Sequence, residues 1–449
     1  MLLAVLLIPL VSLAYLLVRP SIGVKDHSEF FFGRQDFGLF HISASLLATQ
    51  LGAVVILGTS EFAYTYGIYG FLYTLGISLG LIGFGLYAEK LQVMKIETIP
   101  EIFEKQYHSI ILRRTASTLS IISLYGILIS LIVSSRKLIY SFGIEDNKYL
   151  YIMWTALVTY TIFGGIKAVI HADTLRIIFV ITIFIGTILY YCVAKSNYII
   201  VATSQLFNCN KSINLSWVFQ YVALPFFYVF IEQDMAQRFI CSKNSYVSKN
   251  SGILSGVLLL LFSLIPIIFG IAARDLSNVS NETSVMMFFI KETSNSLVTI
   301  SVFMAVVCTT MSAADSILCA ISSNIILDFG QKQKNNLPLC RILILILSTS
   351  AIFISHYIDS ILNISILSCE LSICILFLPV ILTYCNANLN KNFAHTSVTI
   401  SILSFIIHTH YKLQITRAIF CVLVSVLSIP ISQWSKHQIQ GKYCKKFLV

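Results

Sequence analysis

A carboxylate in the middle of an apolar helix is costly in hydrocarbon and ordinarily marks an ion or substrate path. Asp315 is such a group. It sits in Cys308-Thr-Thr-Met-Ser-Ala-Ala-Asp-Ser316, inside the apolar run 297–326, and apolar sequence continues for two turns beyond it. Ser312, Asp315 and Ser316 fall on neighbouring faces of that helix. A second polar interruption, Thr49, Gln50 and Gly52, lies at the centre of the run 38–62. Small residues there would serve tight helix packing equally well, but a buried Gln50 amide must find partners. A third follows Pro225 in the run 214–238, where Glu232, Gln233 and Asp234 stand near the inner end in Phe230-Ile-Glu-Gln-Asp-Met-Ala-Gln-Arg238. The proline alone means a kink, and a solvated helix end is the other reading of the acids. Asp173 and Arg176 are three residues apart, so they can pair along one helical face. A structural ion pair and a functional role suit them equally. Glu370, in the run 361–384, has no partner evident in the sequence.

The elements that must position these residues follow from composition. Charged residues are 11% of the 449-residue chain and hydrophobic residues 57%, whereas soluble globular proteins carry about 25% charge. The polypeptide is therefore all-α and polytopic in a membrane. About 20 apolar residues span a bilayer. Runs of this kind fall at 1–18, 38–62, 67–88, 115–140, 148–165, 169–194, 214–238, 251–273, 297–326, 341–358, 361–384, 395–409 and 414–433, thirteen spans in all. Residues 1–18 lack a preceding basic residue and an A-x-A site, so they are expected to be a retained helix and not a signal peptide. Residues 97–108 are too charged to span and are expected to form a short surface helix.

The net charge of +10 resides mainly between the spans. With the N-terminus outside and the C-terminus in the cytoplasm, inward segments hold roughly twice the basic residues of outward ones, which fits a multi-pass inner-membrane protein better than a nucleic-acid binder. Eleven cysteines, mostly within apolar runs and without C-x-x-C pairing, read as apolar packers. H-E-x-x-H does not occur, the histidines are scattered, and no extramembrane block is large enough for an enzyme. Neither a linker nor an obligate protein partner is evident. The basic tail 434–449 closes the chain.

Four stretches together resemble the sodium:solute symporter family, which includes sodium/proline and sodium/pantothenate symporters. They are Phe32-Gly-Arg34, Tyr160-Thr-Ile-Phe-Gly-Gly-Ile-Lys-Ala-Val169 with Ala172-Asp173, Gln233-Asp-Met-Ala-Gln-Arg238, and Met311-Ser-Ala-Ala-Asp-Ser316. The resemblance implies a five-plus-five inverted repeat. The first helix and loop would occupy 1–37, the repeats 38–194 and 214–384, and two extra helices 395–433. Spans 2 and 7, each first in its repeat, would be broken, since freed helix ends bind ions.

By position, the resemblance implies sodium donors at the carbonyls of Ala48, Leu51 and Thr309 and at the Ser312 hydroxyl, with Asp173 and Asp315 in coupling. Ala313 stands where the family usually has a hydroxyl, and Arg176 where it usually has Gln. A solute pocket is expected near the midplane between spans 2, 7 and 11, with Gln50, Phe226, Phe230 and Gln233 as lining residues. The tryptophan and tyrosine positions of proline carriers hold Val54, Phe226 and Phe230, and their proline position holds Asp234, so proline specificity is not implied. The expected activity is symport of a small organic solute, such as an amino acid or related carboxylate, driven by sodium. A solute sensor and a non-transporting relative are the alternatives.

Overall fold

Inside hydrocarbon every backbone polar group must be paired within the protein, which leaves helices as the economical solution for runs like these. The computed structural model describes residues 27–33, 35–144, 146–208, 215–276, 284–330, 337–358, 361–385, 391–411 and 417–430. The expected span 1–18, Arg34 and the tail 434–449 lie outside the described residues, as does the side chain of Tyr160. Among the described residues the structure is helical apart from one isolated bridge between Phe37 and Ser242.

The helices that matter for the site are α1 (His27–Phe32), α2 (Leu39–Gln50), α3 (Ala53–Tyr66), α4 (Phe71–Met94), α5 (Glu101–Lys105), α6 (Ile110–Tyr140), α7 (Lys148–Ala194) and α8 (Ser196–Ser204), then α9 (Leu215–Val229), α10 (Gln233–Cys241), α11 (Ser245–Ala272), α12 (Val285–Thr293), α13 (Ser296–Phe329), α14 (Leu337–Ser355) and α15 (Ile361–Tyr384). Helices α16 (Lys391–Tyr411) and α17 (Arg417–Val426) complete the described chain.

Among the described residues, seven helical segments are long and apolar enough to cross a membrane: Ala53–Met94, Ile110–Tyr140, Thr161–Ala194, Ser245–Asp275, Ser296–Phe329, Leu337–Ser355 and Ile364–Tyr384. The expected thirteen is larger for physical reasons. Two runs are interrupted, so α2, α9 and α10 are each short, while α3 continues into α4 and the two count as one segment. The expected spans 148–165 and 169–194 are two helices that meet at a kink at Gly165 (φ 58°, ψ −169°), both within the range given for α7. Only glycine holds that conformation cheaply. A Cβ there would also lie 2.8 Å from the Phe30 carbonyl oxygen, so α1 packs on the bend.

The first interruption falls at Leu51 and Gly52, where Gly52 is extended (φ −68°, ψ 171°). The second falls at Phe230–Glu232, with Glu232 extended (φ −79°, ψ 118°). Pro225, inside α9, removes one amide donor from the turn leading into it. Helix α5, expected on the surface, is instead docked: Glu101, Ile102 and Phe103 are buried. The Thr98 hydroxyl donates to Asp328 Oδ1 at 2.8 Å, which ties this segment to the end of α13.

Lipid supplies no hydrophobic drive between helices, so association depends on close packing through small residues. A Cβ on Gly252 of α11 would meet Gly85 Cα of α4 at 2.7 Å and the Leu81 carbonyl oxygen at 2.8 Å. Both are backbone atoms that cannot move aside. Gly186, on α7, has nothing within 4 Å. Gly252→Leu is expected to cost about 1–3 kcal/mol through overpacking. A thermal-unfolding series on detergent-purified protein should show a lowered midpoint for it and an unchanged one for Gly186→Leu.

Candidate ion and solute site

Ending a helix in mid-membrane frees the carbonyls of its last turn. At the first interruption, Leu47 O accepts from the Leu51 amide at 2.8 Å, while the carbonyls of Ala48 and Leu51 stand at the break without a backbone amide donor. Helix α13 crosses beside this break. Thr49 Oγ1 lies 3.3 Å from Ser316 Oγ. A Cβ on Gly52 would come to 3.2 Å from Ala313 Cβ, so the glycine lets α13 pass close.

Directly beneath, four buried ionic groups from three helices meet two hydroxyls. Ser45 Oγ donates to Asp173 Oδ2 at 2.6 Å and accepts from Arg238 Nε at 2.8 Å. Arg238 also donates through Nη2 to Asp173 Oδ2 at 3.3 Å and to Ser316 Oγ, and through Nη1 to the Asp234 carbonyl at 2.8 Å. Arg176 Nη1 donates to Asp315 Oδ2 at 2.9 Å and lies 3.9 Å from Asp173 Oδ1. Asp173, Asp315 and Arg238 are fully buried and Arg176 nearly so. Two carboxylates and two guanidiniums thus neutralise one another across α7, α10 and α13, with α2 joined through Ser45. The expected pairing of Asp173 with Arg176 along one face is the longer contact. Arg176 has its short contact across the bundle, with Asp315.

The second interruption faces the first. Gln50 Nε2 donates to Glu232 Oε2 at 3.0 Å, joining the two breaks side chain to side chain. Beside this bond lies a cavity of about 60 Å³, with Thr49, Gln50, Tyr73, Tyr228, Glu232 and Asp234 among its lining residues. Its far wall comes from α6, α13 and α15, where Ile127, Ala313 and Cys369 line it.

Of the expected solute-binding residues, Gln50 lines this cavity and the other three do not. The face of α9 turned to it carries Pro225, Tyr228 and Val229 at helical spacing, with Glu232 following in the interruption. That spacing turns Phe226 and Phe230 towards α4. Phe230 packs there against Phe84 and Tyr87, with ring centroids 5.7 and 6.3 Å apart, and its ring lies beside Gly83. Gln233 binds the α4–α5 connection, accepting from the Ile99 amide at 2.7 Å and donating to Glu97 O at 3.2 Å.

Among the residues expected to bind sodium, Thr309 Oγ1 donates to Val306 O at 2.8 Å, while Ser312 Oγ is buried without a hydrogen-bond partner. A hydroxyl left in that state beside a broken helix fits a hard cation that takes oxygen donors. Ala313 presents a methyl group one residue on, so this face of α13 offers one hydroxyl fewer. Glu370, without a partner in the sequence, has Arg417 Nη1 3.9 Å from its Oε2. Sequence reasoning did not select Glu232, Arg238 or Ser45 as site residues. Glu232 and Arg238 were visible as charges in an interrupted run. Ser45, one turn before Thr49, carried no distinguishing signal.

Two interrupted helices meeting at a buried, polar, mid-bundle site define a membrane transporter of the broken-helix type. The chain belongs to the sodium:solute symporter family, whose model matches residues 30–360. That family comprises transporters and not enzymes. A sodium/glucose cotransporter from Vibrio parahaemolyticus is 25% identical over 166 residues, which are 35% of this chain and 29% of that relative's length. Among solved structures, a substrate-bound, outward-open sodium-coupled sialic acid symporter superposes with a TM-score of 0.75 at 17% identity, covering 95% of this chain and 96% of the other. A nucleobase-cation-symport-1 family transporter, closed around bromovinylhydantoin, superposes at 0.61 with 12% identity, covering 93% and 95%. At these identities the two likenesses concern the fold.

Removing one partner of a buried ion pair strands the other charge and typically costs about 3–5 kcal/mol. Asp315→Asn alone is therefore expected to lower the unfolding midpoint sharply. Arg176→Gln combined with Asp315→Asn should recover much of the loss, as measured by a double-mutant cycle on thermal unfolding.

Proposed function

We propose that the protein is a sodium-driven symporter that brings a small organic solute into the cell across the inner membrane. The observation that carries this reading is the meeting of the two helix interruptions, linked by Gln50 and Glu232, beside a small cavity lined by both acids of the second break. The proposed architecture is the inverted repeat, 38–194 and 214–384, with each interruption in the first helix of its half. The N-terminus is proposed to lie outside and the C-terminus in the cytoplasm, in keeping with the distribution of basic residues.

The sodium site is proposed at the carbonyls of Ala48, Leu51 and Thr309 with the hydroxyl of Ser312. Its support is the freed carbonyls at the first break and the unpartnered Ser312 oxygen. Asp173 and Asp315 are proposed to couple ion and solute, since their ion pairs connect the helix carrying Ser312 to both interrupted runs. Binding sodium there would draw α13 and α2 together and bias the bundle towards one of two packings, which is how a bound ion shifts an access equilibrium.

The solute is proposed to sit in the cavity against Gln50. Phe226, Phe230 and Gln233 would form the layer behind it, holding α9 and α10 to α4 and to the α4–α5 connection. Of the amino-acid and carboxylate class expected from sequence, the cavity's two acids favour the amine end.

In proteoliposomes containing the purified chain, solute accumulation should require an inward sodium gradient and fall to the passive level when potassium replaces sodium. Labelled solute should also exchange in counterflow, which a receptor would not support. Ser312→Ala is expected to raise the half-saturating sodium concentration by about tenfold, equivalent to roughly 1.4 kcal/mol. Ala313→Ser should lower it. Accumulation that ignores the sodium gradient would refute this reading.

A further inference from the structure

The charges around the two interruptions do not balance. Asp173, Asp315, Glu232 and Asp234 are buried within the described structure together with Arg176 and Arg238, two more acids than bases. The Arg238 guanidinium is committed to Ser45, Asp173, Ser316 and the Asp234 carbonyl. Arg176 is directed at Asp315 and Asp173. The excess of acid therefore falls on Glu232 and Asp234, and both line the cavity, where no Lys, Arg or His side chain is found among the lining residues. Glu232 receives the Gln50 amide on Oε2. Asp234 is 1% exposed, and its Oδ1 is buried without a hydrogen-bond partner.

The position of Asp234 in the first turn of α10 suits a carboxylate by itself, since a helix N-terminus favours negative charge. That accounts for one oxygen and one charge. It does not account for Glu232, whose side chain makes no cap to the helix and shares the site with the Asp234 carboxyl. An unpaired buried carboxylate is among the most expensive groups a membrane protein can hold. A cation in the cavity would relieve it.

Tyr73 and Tyr228 also line the cavity, and aromatic faces attract ammonium groups. Ile77 and Ile127 supply an apolar wall. One water needs about 10–15 Å³ of such space, so a cavity of about 60 Å³ has room for roughly four to six non-hydrogen atoms.

We propose that the cavity between the two interruptions binds a small organic cation, a solute bearing an ammonium group, with Glu232 and Asp234 as its counter-charge and Gln50, Tyr73 and Tyr228 as orienting groups. The inference rests on the symporter reading, in which sodium has its own site at the first break and the organic monocation answers the acidic pair of the cavity. An anionic solute would meet repulsion from both carboxylates, and a neutral one would leave the excess in place.

The test uses isosteric probes on the purified full chain at fixed sodium concentration. Ethanolamine is compared with ethylene glycol and glycolate, and propylamine with 1-propanol, by thermal stabilisation and by uptake into proteoliposomes. The cations are expected to stabilise the protein and their isosteres to have no effect. Glu232→Gln and Asp234→Asn should each weaken the cation response by at least about tenfold, and Glu232→Asp should retain most of it. Sodium-induced stabilisation should survive in all three variants and so report that they are folded.

Two failures remain distinguishable. If a neutral or anionic probe is taken up with sodium and Asp234→Asn leaves it unaffected, the cation inference is overturned and the symporter reading stands. If the cations stabilise the protein but no probe moves with sodium, the site stands and the symporter reading falls. Absence of stabilisation by either cation overturns the inference outright.

Discussion

Charge cannot be left unpaired in the interior of a membrane protein, and this constraint organises the centre of the structure. Asp173 and Arg176 on α7, Arg238 on α10 and Asp315 on α13 satisfy it together. No two neighbours along the chain could have done so, because Arg176 reaches across the bundle for its short contact. The ion pairs consequently fix how α7, α10 and α13 sit against one another. Ser45 brings α2 into the same set through bonds to Asp173 and Arg238. The geometry of both interruptions is inherited from this arrangement, since Arg238 stands in the second turn of the helix that begins at the second break and Ser45 less than two turns before the first.

The interruptions are tolerated because their freed backbone groups are enclosed by protein and not by lipid. Glycines make that enclosure close. Gly52 admits α13 to the first break through Ala313, and Gly80 brings α4 against the Phe226 carbonyl just before the second. A methyl group at either position would move helices apart by tenths of an ångström or more, and the carbonyls at the breaks would no longer face the same space. Rigid packing on one side and freed backbone on the other are what an ion-responsive element needs: a small set of oxygens whose spacing changes when the helices carrying them shift.

Most of the polar residues in the interrupted and charged runs fall into two groups in space, while Gln233 and Glu370 lie outside both. Thr49, Gln50, Glu232 and Asp234 meet at the cavity. Asp173, Arg176, Arg238, Asp315 and Ser316 form the ionic cluster beside it. Recognising each residue as buried and polar needed no tertiary information, because apolar sequence on both sides of a charge is enough. Assigning partners did. Gln50 and Glu232 are 182 residues apart, and nothing in either segment names the other. The orientation of α9 was also hidden. Phe226 and Phe230 look suited to a pocket by type, yet the phase of the helix places them on its α4 side and gives the cavity to Tyr228 and Glu232.

The sequence by itself determined the environment and the grammar of the chain. Its low charge and long apolar runs require a bilayer, and its mid-run amides and carboxylates require interruptions or partners within that bilayer. Those properties are local, and composition and spacing report them directly. Only the tertiary structure decided that α1 packs on the kink at Gly165 and that the charged 97–108 stretch docks instead of lying on the surface. The tertiary structure also decided which of the buried acids are neutralised by arginine and which face the cavity. These outcomes depend on contacts between residues far apart in the chain, where the cost of an unpaired charge is settled by whichever helix arrives beside it.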